Sequence, residues 1–282
     1  MKFGRLGDPG NEIPVVFLDG QTAIAVDHLI ADWSREELMS GAIEKVARED
    51  LTDRSPLSVA DYRVGAPLAR PGKIVAIGLN YRLHAQETGA DIPPEPVVFT
   101  KSPDCVVGPF DNIKIPPGST RTDYEVELAI VIGNRLSYAQ TEAEAVEAIA
   151  GYTISQDISE REWQKDRGGT WDKGKSFPTF NPMGPWVDTE LATPQQLELS
   201  TAVNGEIRQH STTADMIFPI AHLVFYVSQC MELFPGDVIN TGTPSGVAMG
   251  IGPDGYLRAG DQVDSHIEHL GSMRNICIDT VL

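Results

Sequence analysis

Glu125 and Glu127 stand one residue apart in Asp123-Tyr124-Glu125-Val126-Glu127-Leu128-Ala129-Ile130-Val131-Ile132-Gly133. Val126, Leu128, Ile130 and Ile132 form an apolar row at period two, which predicts a strand. Residues two apart on a strand share a face, so both carboxylates point the same way, roughly 7 Å apart along the backbone. Turned towards an interior they repel each other unless a cation or protons intervene, and a hard divalent ion with oxygen ligands meets that need. On its own such a pair reads rather as a solvent-facing strand edge with two ordinary acids, since alternating polar strands are common; the residues that follow reverse that reading.

Asp157 is a third candidate. Thr141 to Glu144 carries a capping-box pattern, and Ala145, Val146, Ile149 and Ala150 repeat at helical spacing. Gly151 reads as the stop of that helix. Tyr152 to Ile158 then alternates as a strand, with Asp157 on the face opposite Ile154 and Ile158. A strand–helix–strand crossover of this kind brings Asp157 beside the two glutamates. Three carboxylates suit Mg²⁺ or Mn²⁺ completed by other oxygens, although Asp157 alone reads equally as a turn or cap residue.

His84 and Glu87 follow the apolar run Lys73 to Gly78 and sit at i, i+3 of a candidate helical turn. A carboxylate beside an imidazole orients it and raises its basicity, which makes a general base for water. An exposed surface histidine gives the same spacing. The following Gly89-Ala90-Asp91-Ile92-Pro93-Pro94 has the composition of a mobile loop, so the pair can ride on a lid. Lys173 and Lys175 lie in a Gly-containing loop where either could steady an anionic intermediate or simply be solvated. Thr241-Gly242-Thr243-Pro244-Ser245-Gly246 is a strand end running into a turn whose amides and hydroxyls could hold a carboxylate. It lacks the ending of a phosphate-binding loop, and no dinucleotide fingerprint is present. His28, His210, His222, His266 and His269 have no neighbours at zinc-like spacing and read as structural.

These residues need a framework to position them. The chain has 282 residues, 41% of them hydrophobic, enough for a sizeable core. Its net charge of −18 argues against nucleic acid or an anionic membrane as a partner. Lys101, Arg161, Lys165, Arg167, Lys173 and Lys175 supply local positive charge for a small anionic substrate. Cys105, Cys230 and Cys277 are odd in number and far apart, which favours a reducing, cytoplasmic setting. The first residues hold no apolar run of the secretory type, and the segment 218–231 is too short to span a bilayer.

Residues 1–68 read as a small N-terminal α+β domain, with a strand and turn at Val15 to Gly20 and a capped helix starting at Ser34. Gly65, Pro67, Pro71 and Gly72 mark a linker, and 72–282 read as the main domain. Asn204-Gly205 predicts a type I′ hairpin, 218–231 a helix, 237–242 a strand, and Leu270-Gly271-Ser272 the turn of a final strand pair. Strands outnumber helices, so the fold class expected is β-rich α+β.

With these blocks in place, residues 72–282 resemble the fumarylacetoacetate hydrolase family. The resemblance rests on Gly78-Leu79-Asn80-Tyr81 with His84 and Glu87, on the 123–128 block, on Gln156-Asp157 with Arg161 and Gln164, on Gly174-Lys175-Ser176-Phe177, and on 241–247. It implies a mixed β-sandwich roll that forms a homodimer or dimer-based oligomer. It implies Mg²⁺ or Mn²⁺ held by Glu125, Glu127 and Asp157, water activated by His84 and Glu87, and charge stabilised by Lys175. Arg161, Gln164, Thr243 and Tyr81 would contact the substrate. The implied reaction is hydrolysis of the C3–C4 bond of a 2,4-dioxo acid, releasing pyruvate. The stretch 161–175 is similar to the branch acting on 2,4-diketo-3-deoxy sugar acids of the L-rhamnonate and L-fuconate type, which would give pyruvate and lactate. Oxaloacetate decarboxylation or tautomerisation, hydrolysis of fumarylpyruvate or another acylpyruvate, and non-catalytic keto-acid binding stand as alternatives. Pro178 departs from the family pattern, which has an acid there; proline removes an amide donor and stiffens that loop.

Overall fold

The computed structural model describes residues 1–281. Its centre is the strand Val126–Ile132, in which every residue is buried. One face, Val126, Leu128 and Ile130, packs against the helix Ile220–Cys230 and against Leu199, Ile267 and Met273 of a second sheet. The other face carries Ala129 and Val131 into a separate cluster with Ile74, Met183 and Trp33. A strand covered on both faces needs apolar residues at consecutive positions, which is what Leu128 to Ile132 supplies.

The large mixed sheet runs Leu57–Ser58, Thr22–Ala25, Ile13–Phe17, Lys2–Leu6, Asn181–Asp188, Ile149–Gln156, Val126–Ile132, Val238–Asn240, Ile74–Gly78, Val97–Lys101, with Val106–Val107 added beside Asn181–Asp188. A five-stranded sheet runs Glu206–Thr212, Glu198–Val203, Gln262–Ile267, Gly271–Asp279, Ile113–Ile115. The architecture is strand-rich α+β, as the pattern of elements implied. The N-terminal segment continues the large sheet: Lys2 and Phe3 pair with Asp188 and Val187, and Phe3 stacks on Trp33 within the cluster that contains Ala129 and Val131.

Several local expectations hold. Asn204 and Gly205 have φ of 53° and 82°, the two positive values that a type I′ turn requires. The helix expected over 218–231 spans Ile220–Cys230. Thr141 caps its helix by accepting the Glu144 amide at 3.1 Å.

Two expectations need correction. The helix after Thr141 ends at Glu147, and Ile149 to Gly151 already belong to the next strand. Gly151 is not a helix stop. A Cβ there would lie 2.4 Å from the Asp188 carbonyl oxygen, so the glycine lets two strands approach closely. The strand–helix–strand unit is also not a parallel crossover. Val126–Ile132 and Ile149–Gln156 are adjacent and antiparallel, because the six-residue helix Glu142–Glu147 reverses the chain at one end of the sheet.

Candidate active site

The antiparallel register pairs Val126 with Gln156 and Glu127 with Ser155. One step further, the Asp157 amide donates to the Glu125 carbonyl at 2.9 Å. Glu125, Glu127 and Asp157 therefore converge at one end of two neighbouring strands, all buried, each offering an oxygen within 4.8 Å of the others. Around them opens a cleft with about 400 Å³ of empty space, lined also by His84, Arg161, Gln164, Lys165, Lys175 and Thr243. Gly78, Phe99 and Trp171 form part of its apolar wall, and a Cβ on Gly78 would lie 2.4 Å from the Trp171 ring.

The charges are arranged unevenly. Lys175 Nζ lies 2.5 Å from Glu125 Oε2 and 2.8 Å from Asp157 Oδ2. Lys101 Nζ lies 2.5 Å from Asp157 Oδ1 and also donates to the Phe180 carbonyl at 2.9 Å. Arg161 reaches Glu125 at 2.5 Å and Asp123 at 2.8 Å. Four buried carboxylates thus face three buried cations. Glu127 is the one without a cation; it accepts the Gly242 amide at 2.8 Å.

The ionisation of the trio follows. Burial acts to raise the Glu125 pKa, but Arg161, Lys175 and His84 outweigh it and hold this carboxyl well below the usual range. Burial, reinforced by the Asp157 and Glu125 charges, pushes Glu127 well above it. For Lys175 burial favours the neutral amine, yet Asp157 and Glu125 prevail and raise its pKa.

The donor set fits a hard divalent cation: three carboxylates on one wall, one of them lacking a counter-charge and with an oxygen free of protein donors. Such an ion, held by Glu125, Glu127 and Asp157, would supply the positive charge that Glu127 lacks.

The base candidates sit across the cleft. The helix Arg82–Glu87 carries both, and His84 Nδ1 lies 3.3 Å from Glu87 Oε2. Glu87 is pinned from the opposite side, accepting the Gly246 amide at 3.0 and 3.2 Å. A Cβ on Gly250 would come within 2.4 Å of Glu87 Oε1, so that glycine leaves room for the carboxylate.

Other expected residues fall differently. Thr243 lines the cleft, but its hydroxyl is engaged by the Val126 carbonyl at 3.0 Å and Gln209 at 2.8 Å. Gln164 accepts from Arg161 at 2.9 Å, and Arg161 is spent on Asp123, Glu125 and Gln164. Tyr81 is not brought to the cleft; it packs in the core with Leu128 and Met216. Of the two loop lysines, Lys175 enters the site, whereas Lys173 bonds the Arg167 carbonyl. Pro178 is exposed and lies outside the cleft lining.

Asp123 was not singled out from the sequence, yet it organises the site. It is fully buried and accepts amides of Tyr124, Ala248 and Met249 as well as Arg161. Its position next to the two glutamates was the available signal. The 241–246 turn, read from the sequence as able to hold a carboxylate, holds two of the protein's own: the Gly242 amide donates to Glu127 at 2.8 Å and the Gly246 amide to Glu87 at 3.0 Å.

Residues 73–278 match the family model described as fumarylacetoacetate (FAA) hydrolase, C-terminal. The chain belongs to the fumarylacetoacetate hydrolase family. A protein of Burkholderia multivorans that carries a provisional hydrolase name is 46% identical over 275 residues, covering 96% of each chain. The solved fumarylacetoacetate hydrolase of Exiguobacterium antarcticum is 33% identical with a TM-score of 0.88, covering 99% of this chain and 100% of that one. The 5-carboxymethyl-2-hydroxymuconate delta-isomerase of Mycobacterium smegmatis is 34% identical with a TM-score of 0.79 over 100% of both chains. Family membership makes this an enzyme of the fumarylacetoacetate hydrolase family. Among the described residues no helix is long and apolar enough to cross a membrane.

Proposed function

We propose that the protein hydrolyses the C3–C4 bond of a 2,4-dioxo acid, releasing pyruvate and the acid of the acyl group. The observation that carries this reading is that His84, oriented by Glu87, lines the same cleft as the acidic trio. Hydrolysis needs a base for water; a decarboxylation does not.

A bound Mg²⁺ or Mn²⁺ would supply Lewis acidity and a template for the 1-carboxylate and 2-keto oxygens. His84 takes a proton from water as the water oxygen attacks C4. Glu87 holds the imidazole in orientation and stabilises its charged form. The C3–C4 bond breaks with its electron pair left on the pyruvate half, and the proton held by His84 returns to C3. Lys175 keeps positive charge next to the place where negative charge develops. The helix Arg82–Glu87, held at Gly246, excludes bulk water.

The finer substrate is a 2,4-diketo-3-deoxy sugar acid such as the L-rhamnonate or L-fuconate derivative, supported by the 161–175 stretch. The three unpaired cysteines, two of them buried, suit a cytoplasmic setting. A homodimer or dimer-based oligomer, implied by the family resemblance, is checked by light scattering.

A second reading, isomerisation of an unsaturated 2-oxo or 2-hydroxy acid, is favoured by the isomerase-named solved structure. The test is turnover of a diketo-acid panel with Mg²⁺ in ¹⁸O-water. Hydrolysis gives pyruvate plus an acyl acid carrying ¹⁸O. Isomerised substrate without pyruvate supports the second reading instead.

A further inference from the structure

Three Lys or Arg side chains line the cleft: Arg161, Lys165 and Lys175. Two are consumed by the protein. Arg161 binds Asp123, Glu125 and Gln164, and Lys175 binds Glu125 and Asp157. Lys165 makes no hydrogen bond or ion pair among the described residues; its neighbours act on it only through space, chiefly Arg161. It is exposed at the mouth, whereas the acidic trio lies buried at the floor. The trio and Lys165 line one cleft, so a single ligand can touch both.

The backbone under Lys165 is held from two sides. It belongs to the π-turn Glu162–Asp166, a distortion that recurs at functional sites. Glu160 accepts the Trp163 amide at 2.8 Å, and the Trp163 ring meets Phe177 edge-on at 5.6 Å. On the inner side a Cβ on Gly174 would lie 2.5 Å from the Gln164 amide nitrogen, so the turn is seated directly on the Lys175 helix. The turn fixes where the Lys165 side chain leaves the backbone, which sets the reach of its free ammonium over the cleft. Partial burial, with Arg161 beside it, lowers the Lys165 pKa and so shows what an added negative or polar partner would relieve.

We propose that Lys165 is a specificity-determining residue whose ammonium reads an oxygen on the acyl end of the substrate, the end remote from the acidic trio. This rests on the 2,4-dioxo-acid reading above. The shared chemistry is an acceptor oxygen, from a hydroxyl or from a second carboxylate.

The test compares wild type, Lys165→Met and Lys165→Arg on 2,4-dioxohexanoate, its 5-hydroxy derivative and 2,4-dioxoheptanedioate. The expected result is a loss of about ten- to hundredfold in kcat/KM for Lys165→Met on the oxygen-bearing ends, with the bare alkyl end unaffected and Lys165→Arg largely restored. Loss on the diacid alone assigns the carboxylate; loss on both assigns the hydroxyl as well. Equal effects on all three, or none, overturn the proposal. A second readout does not depend on hydrolysis: calorimetric affinity for 2-oxohexanoate and 2-oxohexanedioate. Wild type should prefer the diacid and Lys165→Met should lose that preference. If wild type shows none, Lys165 is only a solvated lysine, whatever reaction the site performs.

Discussion

Asp157 and Glu125 face each other on adjacent antiparallel strands, the Asp157 amide donating to the Glu125 carbonyl at 2.9 Å. This one pairing carries the site. It puts two carboxylates at the same level, and the pleat adds Glu127 two residues along on the same face. Lys101, Lys175 and Arg161 answer Asp157 and Glu125, and Glu127 is left without a counter-charge.

Glu127 should therefore keep its proton to higher pH than an ordinary carboxyl in the metal-free protein, since burial and then Asp157 and Glu125 raise its pKa well above the ordinary value. Binding a divalent ion at a pH where Glu127 is still protonated should expel that proton, and calorimetry over a range of pH in buffers of different ionisation enthalpy measures it. The same shift has a stability sign. A carboxyl with a raised folded pKa contributes stability fully present below its unfolded value and lost as pH rises through the folded one. The metal-free melting temperature should fall across that range in wild type and fall less in Glu127→Gln. Metal binding without proton release at any pH above the ordinary carboxylate range would contradict this assignment.

His84→Ala should lower pyruvate release from a 2,4-dioxo acid by about 10²- to 10⁴-fold, the usual worth of a positioned general base. Divalent-ion affinity, measured in parallel, should stay nearly constant, because His84 is not one of the three carboxylate donors. Hydrolysis at full rate would remove His84 from its role.

Gly250→Ala should press on the Glu87 carboxylate, which lies 2.4 Å from where the new Cβ would be. Glu87 must then shift from the Gly246 amide and turn the His84 ring. The expected cost is about ten- to hundredfold in kcat/KM, with melting temperature and metal affinity little changed. Hydrogen exchange over 82–90 should rise. Unaltered kinetics would show that this contact does not position the base.

The sequence made the trio legible because local rules govern it: alternation places Glu125 and Glu127 on one face, and the same alternation turns Asp157 away from Ile154. The Asn204-Gly205 hairpin and the Ile220–Cys230 helix were readable for similar reasons, each depending on a few neighbouring residues. Gly151 was misread because a glycine that ends a helix and one that admits a neighbouring strand look alike until Asp188 is known to lie against it. The partners of Arg161 and Thr243 were equally hidden. Whether a guanidinium faces a substrate or spends itself on Asp123 and Glu125 depends on contacts 36 and 38 residues away. Lys165 illustrates the converse, since a cleft cation free of partners is recognisable only once Arg161 and Lys175 are known to be paired.

The most direct measurement is an anomalous difference map from crystals grown with Mn²⁺. The account predicts one strong peak within bonding distance of a carboxylate oxygen from each of Glu125, Glu127 and Asp157, absent in Glu125→Gln/Glu127→Gln crystals grown alike. A peak elsewhere, or an empty trio in protein whose activity depends on the ion, would contradict it.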